Sequence, residues 1–177
     1  MIVQRRGIIH EVQQPLTDEG QEEHCYASCN NELVISKMQK SDIEKILEIE
    51  KRSFITPWTK KMLNETLSSP ISISLVIKES KLLLGYIMLY SVLNEAHILN
   101  LATNPDYRRR GYASRLIRHT IEYCEKRDIS EFFLEVRDSN IKAKKLYRTF
   151  GFEVIGKRKG YYTDTHEDAL VMQLSLH

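Results

Sequence analysis

Apolar and polar positions along this chain fall into two regimes that meet near residue 31. Residues 1–31 are rich in Gln, Glu and His, carry Pro15, Asp18 and Gly20, and hold no sustained period. Such a stretch buries too little apolar surface to organise itself, and it reads as a tail, flexible or loosely docked. From Leu33 the pattern becomes regular. Leu33, Val34 and Ile35 predict a short strand. Ser41 and Glu44 have the spacing of a capping box, and Ile43, Ile46 and Leu47 then recur on one face of a helix running to Phe54. Pro57 breaks that helix, and a second short one starts at Thr59 and passes through Met62, Leu63 and Leu67. Positions 71–77 and 82–90 predict a strand pair turning at Glu79, Ser80 and Lys81, and 96–103 a further strand. Ala113, Leu116, Ile117, Thr120, Ile121 and Cys124 return to helical spacing. Positions 132–137 form a strand, 140–150 a helix stopped at Gly151, and 152–157 and 168–174 the last strands. The order β-α-α-β-β-β-α-β-α-β-β predicts a mixed α/β domain over 32–177 behind the tail 1–31.

Composition narrows the function classes only a little. The 177 residues carry 26 Lys and Arg against 24 Asp and Glu, a net charge of +2. That balance gives no global reason to expect nucleic-acid or membrane binding, so any polyanion must be held by a local patch. Cys25, Cys29 and Cys124 are too few and too odd in number for a disulfide framework, which points to a reducing compartment. Cys25 and Cys29 lack a second ligand pair at zinc spacing, and no required metal is expected. No apolar run approaches the ~18 residues of a membrane helix, and the first residues carry no signal-peptide core. A cytoplasmic location is expected.

The most informative stretch lies between the strand at 96–103 and the following helix. Arg108, Arg109, Arg110 and Gly111 lead into Tyr112, Ala113 and Ser114. The first amides of a helix have no intrahelical partner, and the helix dipole adds about half a positive charge there. A glycine at that point lets a phosphate approach the backbone, and the arginines add charge. A solvated basic turn would look the same. The dinucleotide fingerprint and the nucleotide P-loop both need further residues that are absent here, so NAD and ATP fit poorly.

Arg108 to Ala113 resembles the Arg/Gln-x-x-Gly-x-Gly/Ala signature of the GCN5-related N-acetyltransferases (GNAT). Further segments are similar to the RimI branch of that family: Glu95 to Pro105, Leu134 to Asn140, Lys145-Leu146-Tyr147 with Phe150-Gly151-Phe152, and Gly160-Tyr161-Tyr162 with Glu167-Asp168-Ala169. The resemblance covers about Leu33 to Leu176 and leaves the tail unmatched. It implies a GNAT fold, a mixed and mostly antiparallel sheet with splayed middle strands and about four helices. It also implies acetyl-CoA as cosubstrate and the α-amino group of a protein N-terminus, ribosomal or broader, as acceptor.

What the resemblance implies for single residues follows the chemistry of acyl transfer from a thioester to an amine. The backbone of Leu101, Ala102 and Thr103 would pair with the pantetheine arm, the Leu101 amide supporting the oxyanion. The pyrophosphate would rest on the amides of Arg109 to Ser114, with Arg108, Arg110, Tyr112 and Lys145 nearby. Asn140 would hold pantetheine, cap the next helix, or do both. Tyr147 would be the general acid toward the leaving thiolate. Glu135 and His97 would together take the amine proton through water, although His97 as a half-exposed strand residue is the plain alternative. Phe54, Trp58, Tyr161 and Tyr162 would wall the acceptor site, Trp58 serving equally as a packing plug.

Two other readings keep the same coenzyme site: a small-amine acetyltransferase for a polyamine or aminoglycoside, and a non-catalytic acyl-CoA-binding module. Asp164, Glu167 and Asp168 favour the first; Glu135 and Tyr147 oppose the second. No nucleic-acid or membrane partner is expected, and a monomer or weak homodimer is.

Overall fold

The structure, a computed structural model, describes residues 32–176. The tail expected over 1–31, with Cys25 and Cys29, lies outside the described residues. The elements are β1 (Leu33–Lys37), α1 (Ile43–Ser53), α2 (Lys60–Ser68), β2 (Ser72–Glu79), β3 (Leu82–Val92), β4 (Glu95–Thr103), α3 (Tyr112–Glu125), β5 (Glu131–Arg137), α4 (Ile141–Arg148), β6 (Glu153–Tyr162) and β7 (Glu167–Ser175). The expected order of elements is the observed one.

The strands form one seven-stranded sheet in the order β1-β2-β3-β4-β5-β7-β6. Every pairing is antiparallel except β4 with β5, which run parallel. Helices cover both faces. On one, Leu116, Ile117 and Cys124 of α3 and Tyr147 of α4 pack on Ile87, Leu89, Ala96, Ile98, Phe132, Leu134 and Val136. On the other, Ile43, Ile46 and Ile49 of α1 and Leu63 of α2 pack on Val76, Tyr86, Met88 and Ala102. Each such fully buried isoleucine contributes about 1.5–3 kcal/mol, so the apolar stripe of α1 is enough to fix that helix on the sheet.

The helix start differs from expectation. Gln39 and Asp42, not Ser41 and Glu44, form the capping box, with the Gln39 amide donating to the Asp42 carboxylate at 3.0 Å. The cause is Met38, which is buried and whose N–H donates to the Ser74 carbonyl, tying the chain down just before the first turn. Glu44 is left to pair with Lys60.

Two irregularities of the sheet shape the site. The parallel ladder of β4 and β5 ends at Ile98 opposite Leu134. Beyond that point β4 continues on β3 as far as Thr103, and β5 on β7 as far as Arg137, so the two central strands part. The second irregularity is a bulge at Leu99. Leu89 pairs with Ile98 and Met88 with Asn100, and Leu99 has no opposite number. An extra residue switches the face of everything after it. Ala96 and Ile98 therefore face α3, whereas Asn100 and Ala102 face α1.

Candidate functional site

The basic turn is built as a helix start. Gly111 occupies the N-cap of α3 at φ +81°, a left-handed conformation that glycine adopts without strain. A Cβ there would meet no protein atom within 4 Å. The requirement is thus conformational, and the space in front of the turn stays free for a ligand. The Gly111 carbonyl accepts the first helical bond, from Arg115 at 3.0 Å, which leaves the amides of Tyr112, Ala113 and Ser114 pointing outward. A cleft of about 380 Å³ opens there, lined by Thr103, Tyr107, Arg108, Arg109, Gly111, Tyr112, Ala113, Ser114, Lys142, Lys145, Leu146 and Thr149.

Most residues expected at a coenzyme site are therefore at this cleft. Tyr107, Lys142, Leu146 and Thr149 join them and carried no sequence signal beyond proximity. Arg110 instead lies over the Tyr107 ring, 5.2 Å from its centroid. Arg108 donates to the Ser53 hydroxyl at 2.8 Å, and Arg52 forms a two-pronged pair with Asp106 at 2.6 and 3.0 Å. The end of α1 is in this way fastened to the basic turn. Asn140 caps α4, its side-chain oxygen accepting from the Ala143 amide at 3.1 Å. Leu101 and Ala102 lie on the parted stretch of β4, where no β5 backbone competes for their edge.

The bulge decides which residues share the face of His97. In an unbroken strand His97 would share a face with Leu99 and Leu101; with the extra residue it shares one with Asn100 and Ala102, on the α1 side. Phe133, Glu135 and Arg137 of β5 lie on that side too, because Phe132, Leu134 and Val136 pack on the opposite one. His97 stacks on Phe133 at 5.1 Å between centroids, and its Nε2 sits 3.4 Å from the Glu95 carboxylate. The Glu135 carboxylate pairs with Arg158 at 3.2 Å. No hydrogen bond or ion pair joins His97 to Glu135, so the two do not face each other directly. They are diagonal neighbours across the point where the strands part.

Tyr147 packs edge-on to Phe152, 5.6 Å between centroids, and burial pushes its phenol well above the usual tyrosine range. Its hydroxyl makes no hydrogen bond to another described residue. A phenol in that position keeps its proton and is free to donate it.

The two segments expected to wall an acceptor site lie close to the parted strands. Phe54 is 38% exposed, while Trp58 is half-buried against the α1–α2 cluster, so the packing role expected for Trp58 is present. The Trp58 amide donates to Glu50 at 2.6 Å. Tyr161 and Tyr162 stand at the end of β6, which runs beyond the expected 157 to Tyr162, paired with Glu167. The Tyr162 hydroxyl donates to the Glu135 carbonyl at 3.5 Å, the Arg137 guanidinium covers its ring at 4.0 Å, and burial raises its pKa to about 12. Arg137 and Glu50, which carried no sequence expectation, organise these segments together with Asp164, expected only as an acidic residue favouring a small amine. Glu50 did leave a trace: it occupies an apolar-face position of α1, one turn after Ile46.

Comparison with known proteins agrees with this geometry. The sequence model of the acetyltransferase (GNAT) family matches residues 43–152. A chain of Escherichia coli (strain K12) named [ribosomal protein bS18]-alanine N-acetyltransferase is 33% identical over 80% of this chain and 97% of its own length. A Bacillus subtilis (strain 168) chain, provisionally named for the same activity, is 40% identical over 81% of this chain and 95% of its own. The crystal structure of the Escherichia coli ribosomal-protein-S18-alanine N-acetyltransferase superposes with a TM-score of 0.77 at 32% identity, covering 81% of this chain and 94% of that one.

Proposed function

This chain belongs to the acetyltransferase (GNAT) family, and from that premise we propose that it acetylates the α-amine of protein N-termini, ribosomal proteins beginning with alanine foremost. The observation that carries the reading is the parting of β4 and β5 after Ile98 and Leu134, beside an open helix start at Gly111. An added strand fits such a gap: the pantetheine arm pairs with the free edge of Leu101, Ala102 and Thr103. Its diphosphate then meets the amides of Tyr112 to Ser114 and the charges of Arg108, Arg109 and Lys145. The relatives' named activity supports an alanine N-terminus as the acceptor.

In the reaction the amine nitrogen attacks the thioester carbonyl, the C–N bond forms, and the C–S bond breaks. The oxygen that gains charge lies at the Leu101 amide. Glu135 and His97, on the acceptor side of the sheet, pass the ammonium proton to solvent through water in the gap between them. Tyr147 donates a hydrogen bond, and with it a proton, to the departing thiolate. Phe54, Tyr161 and Tyr162 bound the entrance for the peptide. No metal is invoked; the base, the donor and the oxyanion support are all side chains or amides of this chain.

The polyamine reading fares worse on charge. Asp164 is held by Arg137, Glu167 by Ser139, and Asp168 by Lys157 and the Gly160 amide, so none is a free site for a polycation. The test is acetyl-CoA turnover with N-terminal peptides, the same peptides α-blocked, and spermidine, read by mass spectrometry. Acetylation of the free α-amine is expected; turnover confined to spermidine overturns the proposal.

A further inference from the structure

Glu50 lies in the last half of α1 and is fully buried, with 0% exposure, between that helix and the sheet. A carboxylate placed there is costly unless its oxygens are satisfied. Three neutral donors from three separate segments satisfy it. Oε1 accepts from the Tyr86 hydroxyl on β3 and from Asn100 Nδ2 on β4 at 3.0 Å, and Oε2 accepts from the Trp58 backbone amide at 2.6 Å. Burial raises the Glu50 pKa, and the bonds from Trp58 and Asn100 pull it back.

The positions of the donors matter more than their number. Trp58 ends the loop that walls the acceptor side. Asn100 follows the bulged Leu99 and precedes Leu101, whose amide supports the thioester oxygen in the reading above. An apolar cluster of the same volume would hold α1 on the sheet at least as firmly. What only the carboxylate adds is a fixed geometry between a loop and a strand that share no backbone ladder.

We propose that Glu50 is a positioning residue whose carboxylate sets the acceptor loop and the bulged part of β4 in register, so that the incoming amine meets the thioester carbonyl. The inference rests on the acetyl-transfer reading above and names a residue through which that reading works. Glu50 touches neither substrate; it acts through Trp58 and Asn100.

The experiment uses Glu50→Gln in the full chain. The amide keeps the shape but turns one oxygen into a donor, which then confronts the donors of Trp58, Asn100 or Tyr86. Trp58 is the single tryptophan of the chain and reports directly on the loop. The expected result is an acceptor KM raised about tenfold, with the acetyl-CoA KM within about twofold of wild type. Acrylamide quenching of Trp58 in the free protein should rise about threefold, as expected for a loop released from its anchor. Adding Asn100→Asp returns a carboxylate to the cluster and should bring the acceptor KM back to within about threefold of wild type. A folded Glu50→Gln protein with unchanged acceptor KM and unchanged quenching overturns the proposal. So does a parallel rise of both KM values with no rescue, which marks simple loss of structure. A measurement on the unmodified protein decides the case even where the variant fails to fold. The Trp58 amide should exchange with solvent at least about a hundredfold more slowly than an open loop amide, and free exchange there sinks the idea. Quenching and exchange need no turnover, so they judge Glu50 even where no peptide proves to be a substrate.

Discussion

The Thr56 hydroxyl donates to the Asp164 carboxylate at 2.6 Å, joining two residues 108 positions apart. Thr56 lies in the break between α1 and α2, and Asp164 in the turn between β6 and β7. Arg137, at the end of β5, donates to the same carboxylate oxygen at 2.6 Å and to the Thr165 hydroxyl. The two segments proposed to wall the acceptor side are thus tied to each other and to the strand that carries Glu135.

Asp164→Ala should loosen both walls at once. The expected outcome is an acceptor KM raised about fivefold or more, with the acetyl-CoA KM unchanged, since the loss falls on one substrate only. Steady-state kinetics with each substrate varied in turn checks it. The pH dependence has a definite sign. The Arg137 and Thr56 bonds lower the Asp164 pKa from 3.8 to about 2. A group depressed on folding contributes stability that is fully present above its ordinary value and lost as pH falls toward the folded value. Carboxyl NMR should therefore find Asp164 still ionised at pH 3, and Thr56→Ala should move its midpoint upward.

Gly111 gives the sharpest test of the coenzyme site. A Cβ there meets no protein atom, so Gly111→Ala costs only the left-handed conformation at φ +81°, on the order of 1 kcal/mol. The methyl would nevertheless stand where the proposed diphosphate approaches. The expected result is a modest drop in thermal stability with CoA affinity reduced about tenfold or more, by calorimetry. An unchanged CoA affinity would place the diphosphate elsewhere.

How far this site was readable from sequence depended on whether local chemistry leaves a mark. The helix start at Gly111 was legible because the glycine falls between a strand and an amphipathic helix, although the arginines beside it would look the same in a solvated turn. On β5 the alternation of Phe132, Leu134 and Val136 against Phe133, Glu135 and Arg137 gives the two faces directly, because that strand is regular. The same reasoning failed on β4. Leu99 is an ordinary apolar residue, and nothing in its neighbours announces that it lacks a partner on β3. The bulge is a property of the pairing, so plain alternation would put Leu101 with His97 although it faces the other way. The tie through Asp164 escaped for a similar reason: its bonds to Thr56 and Arg137 depend on where distant segments end, and sequence alone showed it only as an acidic residue. Glu50 was more accessible. A carboxylate at the Ile43–Ile46 face of α1 needs partners, and that demand alone singles it out.

Glu135 and His97 are separated in the structure, which makes their contributions separable in kinetics. Glu135→Gln leaves Arg158 without its carboxylate and should lower kcat about a hundredfold. His97→Ala, losing a ring that is stacked on Phe133 and half exposed, should lower it about tenfold. The double variant discriminates between two arrangements. If the pair relays one proton in series, the combined loss stays close to that of Glu135→Gln; if each acts alone, the losses multiply. The serial outcome is expected, because both lie on the acceptor face beside the same gap.

Tyr147→Phe separates catalysis from packing more cleanly than any other change here. The ring is buried and packs on Phe152, and its hydroxyl bonds to no described residue. Removing that hydroxyl therefore strips no hydrogen bond among the described residues, and the melting temperature should hold or rise slightly. If the hydroxyl serves the leaving thiolate, kcat should fall about thirtyfold or more while both KM values stay near wild type. Burial raises the phenol's pKa, so its neutral, donating form persists to higher pH than an exposed tyrosine's. The wild-type rate should accordingly show no loss from this group up to pH 10, where an ordinary tyrosine would be half ionised. A Phe variant with full kcat would remove Tyr147 from the reaction and leave it as packing alone.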